Sequence, residues 1–422
     1  MKQKVPQIRH VLTPPDTGIK DLSKYVPDFI KALTTPLTDL EKASGTYQPP
    51  TPPRIAMTGT IDEIMAYFEG DQISPSPIAG GPWCWMTDGG AIVPPTEERV
   101  AQMLKGTKHK PTEEIRGFGS AISETRIANV EKVAINAVMA GCKPEFLPVV
   151  LAIAEASGGA QGYWGDCPMG HLYVTSGPIG KEIGLNYGFG FLAPGNKASE
   201  TIRRAAVLMG INLSGLKFSV NDGERMANLL WGQTFSESPL TPWETLNAQN
   251  GYASNNSVLY SFGGRGYLLP GVEPHGTNTS KASTGLEGFQ VGSPEQLVEA
   301  FSYFDTSGGA VGSLLMTSDA ANVWINKYGF KTADQLKKYL YENALTTMTW
   351  AKGQYYPAGR IVNFDKIPIV KAPDYIRKWD LRGNPDYKTL QVIVAGGAGP
   401  AWGIGPGLGF WGKPIVSVDK WR

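Results

Sequence analysis

The chain has 422 residues, 41% hydrophobic and 18% charged, with a net charge of +1, enough for a large buried core in two or three domains or one elaborated one. Basic residues spread along a near-neutral chain give no electrostatic reason to expect nucleic acid or an anionic membrane surface as partner. Three cysteines cannot form a disulfide framework, and neither a signal-peptide core nor an apolar run of roughly 20 residues is present, so the sequence reads as soluble and cytoplasmic.

Residues 1–54 read as an extended arm, with Pro14-Pro15, Pro36 and YQPPTPPR (47–54) around one amphipathic piece, DLSKYVPDFIKAL (21–33). Such an arm buries too little alone and packs on its own globule or wraps a neighbouring subunit. Residues 55–422 form the catalytic or binding body, with changes of texture near 157 and 292. TIDEIMAYFEG (60–70) is predicted helical, with Thr60 as N-cap, Glu63 three residues on and Gly70 as its stop. Thr96 caps the next helix, with Glu97 and Glu98 on the positive end of its dipole. ISETRIANVEKVAINAVMAGC (122–142) is predicted as one helix whose Ile127, Val130, Ala134, Ala137 and Gly141 share a buried stripe. FLPVVLAIAEA (146–156) is apolar nearly all round, which predicts a central, buried helix.

Beyond it, HLYVTS is strand-like and LAPGNKASETIRRAAVLMG (192–210) signals another helix. Short strands and turns follow to about 292, then helical patterns at 293–304 and 318–345. TLQVIVAGGAGPAWGIGPGLGFWGKPIVSVD (389–419) is two β-rich runs joined by a glycine loop. The expected fold is α/β or α+β, a helical central core with short mixed strands and long Gly/Pro/aromatic loops, lacking regular βαβ alternation.

Cys142, in NAVMAGCKPEFLP (136–148), is the leading chemical candidate. Lys143 precedes a proline and leaves helical space, so the helix ends at about Cys142. A helix C-terminus raises a thiol pKa; N–H groups of a following helix aimed at the sulfur, with Lys143 beside it, would lower it. A small buried structural cysteine is the alternative. Glu131 and Glu145 are the proton-transfer candidates, although Glu131 lies three turns away, roughly 16 Å. Asn136 joins the candidate substrate contacts from the same helix.

APGNKASETIRR (193–204) is a glycine turn opening a helix, where Asn196 or Ser199 caps and Arg203 could hold a carboxylate or phosphate. The alternative is an ordinary capped helix with solvated arginines. Gly396 and Gly397 follow the β run VIVAGG where backbone can approach a ligand or another chain closely. The loop lacks the Lys-Ser/Thr ending of a P-loop and no helix-forming sequence follows it. The four histidines are isolated, and Cys167 with His171 makes only a weak metal pair. No GxSxG elbow occurs. No metal or cofactor is expected. The tryptophans at 83, 85, 164, 231 and 243 line a pocket or cement loops.

Four segments carry a resemblance: WMTDGGAIVPPTEERVAQML, VEKVAINAVMAGCKPEFLPVVLAIAEA, PGNKASETIRRAAVLM and AGGAGPAWGIGPG. In this order, across residues 83–415, they resemble the large domain of the bacterial UGSC-motif (seleno)protein family, and VEKVAINAVMAGCKPE is the most specific block. Family members often carry a second, shorter domain with a Cys- or selenocysteine-Gly-Ser-Cys redox motif. This chain has no such motif, so the resemblance implies the large half alone and a separate redox subunit. It departs at Trp85-Met86-Thr87-Asp88-Gly89-Gly90, with one residue inserted and a leucine changed, and at Lys197–Arg204. The resemblance raises Cys142, Glu145, Thr87 and Asp88 as site candidates.

Three functions fit these readings. The first is a lyase- or reductase-like enzyme for a small anionic molecule, with Cys142 as thiolate, Glu145 or Glu131 moving protons, and Thr87, Asp88, Asn196 and Arg203 binding substrate. The second is a non-catalytic large subunit, homo- or hetero-oligomeric, that scaffolds a small Cys/Sec-motif partner. The third is metal-assisted hydrolysis or lyase chemistry.

Overall fold

The computed structural model describes residues 23–36, 38–39, 53–72, 83–84, 86–118, 126–157, 170–214, 232–264, 269–270, 293–295, 297–298, 312–343, 350–351, 354–355, 390–397, 402–405, 407–408 and 414–422. It divides into two compact units, one of residues 1–91 with 217–223 and one of residues 92–216 with 224–422. Residues 55–91 fall in the same unit as the arm expected over residues 1–54, and residues either side of 157 and 292 share the other unit. The reason is physical: strands from both sides of 292 share one sheet, and the helix ending at 157 covers strands that follow it.

The first unit holds α1 (Val26–Thr34) and α2 (Ile61–Glu69), neither with a buried residue. The apolar stripe of α1 faces outward, with Val26, Phe29, Ile30 and Leu33 exposed by 46, 37, 55 and 86%. The predicted capping box of α2 is present: Glu63 N donates to Thr60 Oγ1 at 3.3 Å, and Thr60 N donates to Glu63 Oε2 at 2.7 Å.

The second unit is layered. After α3 (Glu97–Leu104), strands β1 (Glu114–Phe118) and β2 (Arg126–Asn129) form an antiparallel pair. Helices α4 (Val130–Met139) and α5 (Leu147–Ser157) follow. The predicted helix over 122–142 is thus corrected: Ile127 belongs to β2, and the helix begins only after Asn129, whose Oδ1 accepts from Lys132 N at 2.9 Å. A short apolar run before a helix carries no periodicity of its own that separates strand from helix.

β3 (Gly170–Ser176) precedes α6 (Ile179–Ile183) and α7 (Lys197–Asn212). β4 (Gln233–Ser236) pairs parallel with β3; α8 (Leu246–Gln249) and β5 (Val258–Gly264) follow, β5 antiparallel to β3. A second sheet begins with β6 (Leu269–Pro270) and β7 (Ser313–Met316), followed by α9 (Ser318–Tyr328) and α10 (Ala333–Asn343). Gly329, in left-handed backbone at φ 78, breaks the expected single helix at 318–345 into these two. β8 (Gln391–Val394), β9 (Trp402–Gly405) and β10 (Ile415–Ser417) complete the two four-stranded sheets. The sheet orders are β10-β5-β3-β4 and β8-β7-β9-β6.

Alternation along the strands builds the layers. Leu172, Val174, Phe235, Val258, Tyr260 and Phe262 of the first sheet meet Leu315, Ile393 and Ala395 of the second. The other face of the second sheet, through Leu314, Met316, Val392 and Val394, packs on Trp324, Leu336 and Leu340 of α9 and α10. Helix α5 lies across β5 and β10, and α7 against β4. The expected α/β or α+β class holds. Among the described residues, no helix is long and apolar enough to cross a membrane.

Candidate functional site

Cys142 sits just past the end of α4. Gly141 takes left-handed backbone at φ 82, its N–H donates to Val138 O at 2.9 Å, and Cys142 N donates to Ala137 O at 2.9 Å. This is a Schellman stop, in which the residue after the glycine normally packs back on the last turn. The helix therefore ends at Met139, stopped by Gly141 three residues before Pro144. Lys143 is extended at φ −90, ψ 157 and leads through a 3-10 turn, Pro144–Phe146, into α5.

The first turn of α7 closes over this bend. Thr201 Cγ2 and Val93 Cγ2 would each lie 3.8 Å from a Cβ placed on Gly141. Burial pushes the Cys142 thiol up to about 12; a side-chain hydrogen bond with Thr201 and the charge of Lys197 favour the thiolate but are outweighed. The residue retains partial exposure.

The other candidates have partners of their own. Glu131 lies in the first turn of α4, at the far end from Cys142. Glu145 is exposed and pairs with Lys143 at 3.7 Å, both side chains about half accessible; such a pair contributes little. Asn136 is buried and committed to the fold: its Nδ2 donates to Lys132 O at 2.9 Å, and its Oδ1 accepts from Asn212 Nδ2 at 2.9 Å, joining α4 to α7.

Asn196 is the N-cap of α7, accepting from Ser199 N at 2.9 Å while its Nδ2 donates to Gly184 O at 2.9 Å. Arg203 grips Glu200 on the same helix, with Nε and Nη2 at 3.2 and 3.0 Å from Oε2. Thr87 and Asp88 belong to the first unit, where they accept from Gly89 N and Gly90 N at 3.2 and 3.3 Å in a local turn. Gly396, at φ 117, donates its N–H to Tyr187 O at 2.8 Å, and Gly397 lies directly under the Phe189 ring. Both glycines thus admit the chain's own aromatic loop; a Cβ on Gly396 would come within 2.9 Å of Thr317 Cγ2.

Two clusters outside these candidates carry stronger electrostatics. Glu237, just past β4, is buried, and both its carboxyl oxygens accept from Leu246 N, at 2.9 and 3.0 Å. Ser176 Oγ donates to its Oε2 at 2.7 Å. Burial dominates these bonds and pushes its carboxyl up to about 8. The second cluster joins Glu155 of α5, His109, Glu113, Lys420 and Trp421. The spacing of His109 and Glu113 is visible in the sequence; nothing local marks Glu155 or Glu237 as buried.

Among the described residues, no group of three His, Cys, Asp or Glu is placed to hold a metal ion; Cys167, Trp85, Trp164 and Trp231 lie outside those residues. No protein-family model, curated protein or solved structure matches the chain.

Proposed function

We propose that this chain is a non-catalytic large subunit, related to the large domain of the UGSC-motif proteins, that orders a separate small polypeptide carrying a Cys/Sec redox motif. What supports the reading is the position of Cys142, at the glycine stop of α4 beside Thr201 and Lys197, where desolvation pushes its thiol up. The competing thiol-enzyme reading requires a depressed pKa, and the surroundings of the sulfur act in the opposite direction. The outward apolar stripe of α1 supports a partner-binding role for the first unit. The assembly belongs in the cytoplasm, where unpaired cysteines stay reduced.

Native mass spectrometry of the protein purified from its own cells tests this. The expected result is a stoichiometric second polypeptide whose sequence contains the Cys- or Sec-Gly-Ser-Cys motif. A homo-oligomer that turns over substrate alone, and loses that activity in Cys142→Ser while still folded, would overturn it.

A further inference from the structure

The segment after β10 is held at several points, one of them an imidazole. Trp421 is buried, its Nε1 donating to Glu155 Oε2 at 2.8 Å, and Lys420 Nζ reaches the same oxygen at 3.1 Å. The Trp421 ring lies 4.6 Å from the His109 ring, and Thr107 Oγ1 donates to Trp421 O at 2.6 Å. His109 itself stands between two acceptors. Its Nδ1 is 2.8 Å from Glu113 Oε2 and its Nε2 is 2.6 Å from Lys420 O. A carboxylate and a carbonyl can only accept, and a neutral imidazole has a single N–H. Both bonds therefore require the imidazolium.

We propose that His109 is a proton-operated latch on residues 418–422, closed when the imidazole is protonated and released when it is not. The charges around it agree. Burial and the Lys420 ammonium work against the imidazolium, but the Lys420 carbonyl and Glu113 outweigh them, and the His109 pKa is raised above its ordinary 6.5. From α5, Glu155 faces Lys420 rather than the imidazole. Asp419 accepts from Ser257 N at 2.8 Å and pairs with Arg422 at 3.3 Å, while Arg422 also reaches Glu182 at 2.6 Å. With a raised folded pKa, the docking is complete below the ordinary value and is lost as pH rises through the folded one. On deprotonation Glu113 keeps the remaining N–H, and the Nε2 lone pair is left facing the Lys420 carbonyl oxygen at 2.6 Å, which is repulsive.

Hydrogen exchange of the peptide spanning residues 415–422, corrected for intrinsic rates from about pH 6 to about pH 9, reads the latch directly. In the wild type its protection falls by roughly ten- to a hundredfold across that range. Glu113→Gln keeps the segment docked throughout: the amide donates to Nδ1, and the neutral ring retains its N–H for the Lys420 carbonyl. His109→Ala lowers the protection of the segment to the wild type's alkaline level and makes it independent of pH, because the other anchors remain. With only four histidines in the chain, the His109 resonance is assigned by its loss in that variant, and it titrates in the same window. Protection that is flat in the wild type, or that falls in Glu113→Gln as it does in the wild type, overturns the proposal.

Discussion

Gly106→Ala is expected to lower the unfolding free energy by roughly 3 kcal/mol, the upper part of the range for overpacking. A Cβ at this position would overlap the Pro144 carbonyl and press within 3.2 Å of Leu147 Cβ. Neither obstacle is a flexible side-chain end. Pro144 opens the turn into α5, and Phe146 and Leu147 behind it are buried. The strain must push the 142–146 bend outward, so Cys142 also becomes more reactive toward alkylating agents in the variant. Urea unfolding of the two proteins checks the stability, and a difference within about 0.5 kcal/mol, the size of an ordinary surface effect, would mean the bend has room that the geometry denies.

Glu237 makes the stability depend on pH. Its carboxyl is raised from the ordinary 4.5 to about 8, burial being the main cause. The folded protein thus holds this proton where the unfolded chain has released it. The stability from this group is complete below about 4.5 and is lost as pH rises through about 8, by an amount on the order of a few kcal/mol. Glu237→Gln removes the titration while keeping an oxygen for Leu246 N and an amide for Ser176. The variant's unfolding free energy relative to wild type therefore climbs across that window and exceeds it at alkaline pH. Glu237→Ala orphans the Leu246 N–H and leaves a cavity, costing roughly 2–4 kcal/mol at acid pH and less as pH rises, because it too removes the titration. Parallel curves for wild type and Glu237→Gln would show that the buried carboxyl does not control this slope.

What was legible in the sequence was what short-range chemistry decides. Thr60, Thr96 and Asn196 act as caps because an N-cap oxygen meets an N–H three residues on. Helix α5 was legible because a helix apolar all round must be buried, and the residues from Leu147 to Ala154 that carry no polar group are almost wholly so. At the end of α4, Pro144 suggests a stop in nearly the right place, but Gly141 makes it. The candidate site was less legible because burial of polar groups depends on distant chain. Glu155 is held by Trp421, 266 residues later, and His109 by the carbonyl of Lys420, 311 residues later. Asn136 keeps its amide oxygen for a substrate as far as its own helix shows, but Asn212, on another helix, takes that oxygen.

Central to the proposed role is the Cys142 sulfur as a buried, protonated thiol. The direct measurement is the rate of iodoacetamide alkylation at Cys142, followed by the mass of its peptide, from about pH 6 to about pH 10. The prediction is a native rate at least roughly a hundredfold below that of the unfolded chain, with no inflection in the range. An inflection below about pH 8, with the native protein reacting faster than the unfolded one, would contradict it and return Cys142 to the role of nucleophile.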